Sequence, residues 1–414
     1  MFLCTGYTFD TCSMAEYDIV VAGGGPAGLQ FAREVGYASE YSVAVLERND
    51  SLADNDKSTG GTFHQVVDGF DIPDHVVMDD SPDVIFEGPE AHARLDIPNY
   101  VLDFPKFLEY LGEDAERQGV EIVTGAEVTG PIQENGTVVG VETRHNGSTK
   151  ETYGDVVVDA TGPAGALTTR LGMWDRSAAQ RGIGKEFEAV GEFDPDSMLF
   201  KFDHEYAPGG YAWVFPAGDD AFKVGVCWVN DFYRRHRPPD DGGIDSYVRK
   251  WIDSDSRWDI DEIRDVHAGQ AISDNSINQR ATDGMVAVGD AVSSINPLFG
   301  EGIRPGMESA EMAADVVMDA LRRGDTSRRV LSAYEKRWNR EKGPKWKTQR
   351  MVGELLYDFN AEQQDGFVRR AGRLSTEQAD RLQRYELTVT DLLSLYPFKL
   401  KDVPKAPTLL RHVW

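Results

Sequence analysis

Three glycines near the start of the chain have the type and spacing needed to hold a nucleotide phosphate. Gly23, Gly25 and Gly28 form a GxGxxG pattern between an apolar run of strand length and a helical pattern. Such glycines allow a tight turn and close approach of the backbone to a pyrophosphate, and the helix that follows turns its positive dipole end toward the phosphates. The next apolar run ends in Glu47, whose carboxylate can accept hydrogen bonds from a ribose diol. Because that carboxylate would repel a 2′-phosphate, the pattern predicts FAD or NAD rather than NADP.

A second segment, GDAVSSINPLFGEGIRPGMES at 289–309, has a similar arrangement later in the chain. An apolar run leads into Gly289 and Asp290, and Gly300 and Gly302 precede a helical pattern. We expect another helix N-terminus there, with a carboxylate that can hold a ribityl hydroxyl. Together the two motifs resemble those of FAD-dependent oxidoreductases of the hydroxybenzoate hydroxylase and glutathione reductase kind. The resemblance implies that Asp290 meets the ribityl–pyrophosphate part of FAD and that the backbone from Gly300 onward lies near the isoalloxazine.

The residues expected to contact FAD combine these two motifs with neighbouring strand ends. They are Gly23, Gly25, Pro26, Ala27, Gly28, Glu47, Arg48, Val128, Gly289, Asp290, Gly300, Gly302 and Ile303. A third strand and turn, VVVDAT at 156–161, is expected to complete the fold, with Asp159 in a structural role. A separate NAD(P)H domain would need another complete GxGxxG, and GIGKEF at 182–187 lacks the last glycine. We therefore expect an external electron donor: ferredoxin, an electron-transfer flavoprotein or transiently bound NAD(P)H.

The elements that position these motifs are spread along the chain. Residues 104–118 have the apolar spacing of an amphipathic helix, and 119–124 and 137–143 are typical of strands. Between 169 and 264, short alternating runs punctuated by Gly, Pro and Asp indicate an antiparallel sheet. Its clearest predicted strands are 198–202, 211–215 and 221–229, and the last two form a hairpin around a turn at 217–220.

The predicted fold class is α/β. It comprises an FAD-binding Rossmann-like domain of the glutathione reductase or hydroxybenzoate hydroxylase type, an inserted antiparallel β-sheet substrate domain and a C-terminal helical region. The predicted boundaries are 1–13 for a disordered leader, 14–75, 100–168 and 265–325 for the discontinuous FAD-binding domain, 76–99 and 169–264 for the substrate domain, and 326–414 for the helical region.

An aromatic strand within the inserted sheet gives the clearest indication of substrate class. Tyr211, Trp213 and Phe215 occupy alternate positions, so their side chains are expected on one face of a strand. Such a face could be ordinary core or the wall of an apolar pocket. YAWVFP at 211–216, followed by KVGV at 223–226, resembles the YxWxFP…VG signature of the geranylgeranyl reductase family of flavoproteins, which saturate isoprenoid double bonds. The PLFGEGIR stretch of the second flavin motif is also similar to that family.

The geranylgeranyl reductase resemblance implies a hydrophobic tunnel for a prenyl chain, which offers no polar handle and must be bound by apolar contact area. The expected substrate contacts are Tyr211, Trp213, Phe215, Pro216, Gly60 and Gly61. Many family members carry a cysteine in a loop that faces the flavin, whereas DKSTGGTFHQVV at 56–67 has none. KSTGG is closer to flavoproteins that pass electrons from an electron-transfer flavoprotein to quinone. His64 in this loop could supply a proton, but no catalytic residue is assigned.

Composition excludes several classes of function. The 414 residues carry 43 Lys and Arg against 70 Asp and Glu, a net charge of −27, which argues against a nucleic-acid partner. Arginine outnumbers lysine 29 to 14, and so acidic and lysine-poor a surface predicts a cytoplasm of high salt, where charge repulsion is screened. No apolar run reaches the roughly 18 residues of a membrane span. The three cysteines and eight histidines lack metal-ligand spacing, so neither a metal site nor a structural disulfide is expected.

Residues 322–350 form a basic segment in this acidic chain, with eleven Lys and Arg and three acids. With Trp338 and Trp346 beside the charges, the segment could contact anionic lipid headgroups or an acidic redox partner. The alternative is a solvated helix face that pairs with the protein's own acids. The expected location is cytoplasmic, with peripheral membrane contact through this segment left open.

The sequence therefore predicts an FAD-dependent oxidoreductase that saturates the prenyl chain of an archaeal ether-lipid precursor or of menaquinone. A flavin monooxygenase or halogenase shares the fold, but this chain has DATG at 159–162 in place of a DG motif and lacks a WxWxIP stretch. Electron transfer to quinone remains a third hypothesis because of KSTGG. A non-catalytic prenyl-binding module of the Rab escort type is the fourth, and the intact flavin motifs count against it.

Overall fold

The computed structural model of the chain describes residues 16–145, 147–218, 220–239, 242–274 and 279–397. The predicted leader at 1–13 lies outside these residues. The strands are Tyr17–Ala22 (β1), Val43–Leu46 (β2), Gly61–Phe63 (β3), Val77–Ser81 (β4), Val84–Glu87 (β5), His92–Leu95 (β6), Asn99–Leu102 (β7), Glu121–Val123 (β8), Ala126–Glu134 (β9), Thr137–His145 (β10), Ser148–Asp159 (β11), Gln180–Phe193 (β12), Met198–Lys201 (β13), Gly210–Pro216 (β14), Ala221–Val229 (β15), Trp258–Ser273 (β16), Ala281–Thr282 (β17) and Met285–Ala287 (β18). The helices are Pro26–Ala38 (α1), His64–Val67 (α2), Phe104–Arg117 (α3), Ala166–Arg170 (α4), Asn230–His236 (α5), Ile244–Ser254 (α6), Ile303–Arg323 (α7), Arg328–Glu341 (α8), Gly343–Leu356 (α9), Ala361–Ala371 (α10), Thr376–Gln383 (α11) and Val389–Leu395 (α12).

A parallel sheet in the order β18-β11-β1-β2-β8 carries both glycine motifs. β17 extends it at one edge, and β9 and β10 continue from β11 as an antiparallel meander. Alternate residues of β1 point to opposite faces, so Ile19 and Val21 pack with α1, α3 and α7, while Val20 and Ala22 pack with β9 and β10. Both faces are thus covered, and the carboxyl ends of β1, β11 and β18 meet at one edge, where ligands bind in sheets of this type.

A second sheet has the order β16-β12-β15-β14-β13-β5-β6 and is antiparallel except where β13 meets β5. One face packs on α6, with Val214 and Val224 against Trp251. The opposite face carries Tyr211 and Trp213 and packs on the C-terminal helices. A short third sheet, β3-β7-β4, completes the strands of the described residues.

The C-terminal helices cover the aromatic face of the second sheet and correct one prediction. Trp338 and Trp346 are 2% and 4% exposed and pack edge to face, because both lie on the buried sides of α8 and α9. Neither indole is therefore available to a lipid headgroup. Most cations of the 322–350 segment have acidic partners within the protein, as in the Lys342–Glu308 and Arg337–Asp315 pairs.

Two predicted domain boundaries fall within strands. The break at 264–265 lies inside β16, whose ladder with β12 continues to Ser273. The break at 99–100 lies inside β7, which pairs with β3 and β4. The break at 99–100 would interrupt the regular ladder of β7 with β3, whereas the break at 264–265 falls at a register shift in β16, between the Glu188–Asp265 and Ala189–Ile263 pairs. Within the described part of the chain, no helix combines the length and the apolar character required to cross a membrane.

Candidate active site

A cleft of about 650 Å³ lies at the carboxyl edge of the parallel sheet. Its lining includes most of the predicted cofactor contacts: Gly23, Gly25, Pro26, Ala27, Glu47, Arg48, Val128, Gly289, Asp290, Gly302 and Ile303. Two predicted contacts differ. Gly28 lies behind the lining, and Gly300 lines a neighbouring cavity instead.

The N-terminus of α1 is shaped to receive an anion. Gly25 precedes the helix with no side chain capping the first amides, and a Cβ built on Gly25 would meet no atom within 4 Å. The first-turn amides have no partner within the helix, so they can donate to phosphate oxygens across this open space. Gly28 has another role, because a Cβ there would lie 2.0 Å from the carbonyl oxygen of Gly23. Its missing side chain allows α1 to pack against the glycine turn.

Two carboxylates line this cleft and differ in their hydrogen bonding. Glu47 accepts hydrogen bonds from the backbone amides of Gly24, at 2.7 Å, and Asn49, at 3.0 Å, which fix its orientation. The Oδ1 atom of Asp290 is buried and has no hydrogen-bond partner among the described residues. Burial raises the pKa of Asp290 to about 6. A ribityl hydroxyl donating to this oxygen would satisfy it, so the residues present fit FAD.

Asp159 has the structural role expected of it. Its carboxylate is fully buried and accepts hydrogen bonds from the amides of Leu167, at 3.1 Å, and Thr168, at 2.8 Å, and from the hydroxyl of Thr161. These bonds hold the start of α4 against the end of β11. With its oxygens occupied in this way, Asp159 is a scaffold for the cleft rather than a group available for chemistry.

The aromatic strand β14 forms a wall of a second, apolar cavity of about 340 Å³. Tyr211, Trp213 and Phe215 all line this chamber. Other aromatic side chains complete the wall: Phe63, Phe86, Phe200, Phe299, Tyr357 and Tyr385. Because the three strand residues also belong to a buried cluster with the C-terminal helices, they are both core and chamber wall.

Of the remaining predicted substrate contacts, only Gly61 lines the chamber. A Cβ on Gly61 would lie 2.6 Å from the Phe215 ring, so the glycine leaves room for that ring. Gly60 lies outside the lining; it has a φ of 77°, and a Cβ would lie 2.1 Å from the carbonyl oxygen of Leu102. Gly60 instead forms the turn that leads into β3. Pro216 also lies outside the lining, since alternation along β14 points it away from the face of Phe215.

The position of Gly225 on β15 explains why KVGV at 223–226 follows YAWVFP at 211–216 with this spacing. Trp213 pairs with Gly225 on β15, and Gly225 pairs with Glu186 on β12. The indole crosses over Gly225 and donates from Nε1 to Glu186 Oε2 at 2.6 Å, two strands away. A Cβ on Gly225 would lie 2.3 Å from the ring, so only glycine leaves this path open.

Tyrosine hydroxyls fix the loop that joins the two cavities. Tyr211 Oη donates to the carbonyl oxygen of Phe299, and Tyr357 Oη donates to that of Leu298. Both carbonyls belong to the loop that leads to Gly300 and α7. The substrate sheet and the C-terminal helices therefore hold the second flavin motif in position.

The cleft and the chamber adjoin. Lys57, Ala268, Gly269 and Gln270 line both cavities. Residues 268–270 belong to β16, which carries the chamber wall to the cofactor cleft. A ligand in the chamber would therefore meet the cofactor at this junction.

Several polar groups near the junction were missed by sequence reasoning. They are Lys57, which lines both cavities, His267, which lines the chamber, and the buried Glu186 and Lys223, which share the sheet face of Trp213 and Phe215 but do not belong to the cavity lining. A signal for Glu186 existed, because an acid two positions after Gly184 must share its strand face. His64, considered as a proton source, lines neither cavity.

Comparison with known proteins places this architecture among flavoproteins. Residues 81–265 match the family model described as FAD dependent oxidoreductase, and residues 2–80 match that of the Thi4 family. A solved geranylgeranyl bacteriochlorophyll reductase-like protein from Thermoplasma acidophilum superposes with a TM-score of 0.81 at 22% identity, covering 95% of this chain and 99% of that chain. A flavin-dependent brominase superposes with a TM-score of 0.70 at 20% identity, and the match covers 95% of this chain and 97% of the brominase. These similarities confirm the predicted fold, which reductases and halogenases share.

Sequence relatives distinguish between the reductases and the halogenases that share this fold. The digeranylgeranylglycerophospholipid reductase of Haloferax volcanii is 37% identical over 379 residues, which cover 88% of this chain and 92% of that protein. Digeranylgeranylglycerophospholipid reductase 1 of Methanococcoides burtonii is 28% identical over 375 residues, covering 85% and 87%. Identity of this extent over nearly the whole of both chains establishes the family, and with it the predicted cofactor: the chain belongs to the digeranylgeranylglycerophospholipid reductase family of FAD-dependent oxidoreductases.

Proposed function

We propose that this enzyme saturates C=C bonds in the prenyl chains of an archaeal ether-lipid precursor, with the side chain of menaquinone as the alternative substrate. The observation that carries the proposal is the junction at 268–270, where an aromatic chamber adjoins the FAD cleft. FAD, when bound and reduced, supplies the hydride. The protein orients the alkene beside it and excludes water.

The chamber matches the chemistry of a prenyl chain. A prenyl chain gains affinity only from apolar area removed from water, at roughly 25 cal/mol per Å². The aromatic wall supplies that area. Gly182 and Gly184 on β12 also line the chamber, and because they carry no side chains they leave its space free. The same wall keeps water from the reacting carbons.

We propose the cofactor contacts as the eleven predicted residues that line the cleft, and Tyr211, Trp213, Phe215 and Gly61 as the substrate contacts. The electron donor is proposed to be an external carrier of the ferredoxin or electron-transfer flavoprotein type, or transiently bound NAD(P)H. The location is proposed to be cytoplasmic. Contact of the 322–350 segment with the membrane is left to a vesicle-binding assay.

The proposal is tested by single turnover in high salt without oxygen. The FAD-loaded enzyme is reduced with dithionite and mixed separately with a geranylgeranyl ether lipid, geranylgeranyl diphosphate and menaquinone. We expect flavin reoxidation together with a product heavier by two hydrogens for each bond saturated. Reoxidation by oxygen with hydroxylation of the substrate would instead identify a monooxygenase, and reduction of the quinone ring would identify a quinone dehydrogenase.

A chamber variant separates substrate binding from cofactor binding. A Cβ on Gly182 would meet nothing closer than 3.4 Å, so the Cβ of Gly182→Val enters the chamber without a backbone clash. We expect this variant to keep its FAD, measured by visible absorbance, and to lose most prenyl turnover. Loss of FAD together with turnover would contradict the assignment of the chamber to substrate.

A further inference from the structure

A row of side chains crosses the second sheet on the chamber face and ends at the junction. Trp213 on β14, Gly225 on β15, Glu186 on β12 and His267 on β16 are consecutive cross-strand neighbours. Directly opposite residues share a face and have Cβ atoms about 5 Å apart. The row therefore places a carboxyl group and an imidazole side by side, next to residues 268–270, where substrate and cofactor would meet.

Glu186 is buried, and only one of its two carboxylate oxygens has a hydrogen-bond partner among the described residues. Its residue is 3% exposed, and Oε2 accepts the hydrogen bond from Trp213 Nε1. Oε1 is buried and has no hydrogen-bond partner among the described residues. An unpaired buried oxygen costs about 1–3 kcal/mol, so the protein retains Glu186 at a cost to stability.

His267 connects Glu186 to the chamber and toward solvent. It lines the chamber immediately before the residues shared with the cleft. Its Nε2 atom is buried, makes no hydrogen bond with the described residues and lies 3.8 Å from Asp56 Oδ2. The Asp56 side chain is 34% exposed, so solvent reaches this end of the row.

We propose that Glu186 and His267 hold and deliver the proton that one alkene carbon takes up, with His267 as the group that faces the substrate and Glu186 as the buried store behind it. This inference rests on the proposed prenyl reduction. The alkene π bond breaks, one carbon receives a hydride and its two electrons from the reduced cofactor, and the other receives a proton from the His267 imidazolium. The imidazole then takes the Glu186 proton, and between turnovers a proton from solvent at the Asp56 end of the row passes through His267 back to the Glu186 carboxylate.

The electrostatic surroundings of Glu186 support such a store. Burial raises its pKa to about 7, against the opposing effects of Lys223, the Trp213 hydrogen bond and His267. Glu188, on the same strand, raises it slightly. A carboxyl group with this pKa can hold a proton near neutral pH and release it to a base. The acids that face His267 are Asp56 and Asp265.

The test compares Glu186→Gln with Glu188→Gln at several pH values. Glutamine keeps an acceptor for the Trp213 indole but carries no dissociable proton. We expect Glu186→Gln to retain FAD and to slow single-turnover prenyl reduction about 100-fold, the low end of the range for loss of general acid catalysis. The wild-type rate should fall as the pH rises through about 7, and Glu186→Gln should lose the part of this fall that the carboxyl group causes. Glu188→Gln, on the same strand, should behave as the wild type.

A second readout needs no turnover. The folded pKa of Glu186 lies above its unfolded value of 4.5, so wild-type stability falls relative to Glu186→Gln as the pH rises from 4.5 through about 7. In an infrared difference spectrum between pH 6 and pH 8, the band of protonated carboxyl groups should be smaller in Glu186→Gln than in the wild type by the contribution of one carboxyl group. The bands of Asp290 and Glu311, whose pKa values burial raises to about 6 and about 7, should remain in both proteins. If Glu186→Gln fails to fold, His267→Gln on the edge strand tests the same pH limb.

The variant kinetics test the proton store, whereas wild-type turnover tests the proposed prenyl reduction. A wild-type rate and pH profile in both Glu186→Gln and His267→Gln would overturn the proton store while leaving prenyl reduction intact. A wild-type enzyme that saturates no prenyl substrate would refute the function, whatever the infrared result.

Discussion

Replacing Gly225 with alanine should separate the Trp213 indole from Glu186. The new Cβ would lie 2.3 Å and 2.5 Å from two ring carbons of Trp213 and 2.8 Å from the carbonyl oxygen of Lys185. Carbon atoms in contact lie about 3.5–4.0 Å apart, so the ring must move by about 1 Å. Overpacking costs about 1–3 kcal/mol and leaving the Glu186 carboxyl unpaired costs about 1–3 kcal/mol more, so we expect unfolding to require about 2–6 kcal/mol less than in the wild type.

The assay for this prediction is denaturant unfolding of the FAD-loaded protein in high salt, with prenyl turnover measured on the same samples. Gly184→Ala is the matched control, because its Cβ would lie 3.5 Å from the same indole, an ordinary contact. The control should be within about 1 kcal/mol of the wild type. Equal stability of Gly225→Ala and Gly184→Ala would refute the role assigned to Gly225.

Three further predictions concern the cofactor, the loop and the surface. Asp290→Asn should weaken FAD binding about 10-fold in a fluorescence titration. The same change should stabilise the apoprotein relative to the wild type as the pH rises from about 4 through 6, because the raised pKa of Asp290 makes its ionisation unfavourable in the fold. Tyr211→Phe removes the donor to the Phe299 carbonyl and should cost about 1–2 kcal/mol in denaturant unfolding, with a shift in the visible FAD spectrum. The melting temperature should rise between about 0.1 M and about 1 M KCl, since a net charge of −27 is self-repulsive until the Debye length shortens from about 10 to about 3 Å; a flat salt response would contradict the high-salt expectation.

Local patterns were sufficient to predict that the residues of the two glycine motifs lie close together and that the aromatic residues share one face. The glycines at 23–28 and the Gly289–Asp290 pair act through backbone geometry at their own positions, so residue type and spacing are sufficient. Strand alternation likewise placed Tyr211, Trp213 and Phe215 on one face. The predicted helix at 104–118 also agrees with α3, where the apolar spacing is regular.

Contacts between distant segments could not be predicted in the same way. β16 is an exposed edge strand whose charges from Asp259 to His267 hide its alternation, so nothing in the sequence marked 268–270 as the junction. Gly60 and Gly61 were interpreted together, although the turn at one and the Phe215 ring at the other require glycine for different reasons. The Trp338 and Trp346 indoles were assigned to the basic surface because their burial depends on how α8 and α9 pack together.

In the proposed function, a prenyl double bond lies where the chamber meets the FAD cleft. The most direct measurement is the stoichiometry of an anaerobic single turnover, with the FAD reoxidised and the double bonds lost from a geranylgeranyl ether lipid counted in the same sample. We expect one bond saturated for each FAD reoxidised, and little product in Gly182→Val despite its bound FAD. Reoxidation that leaves every double bond intact would contradict it.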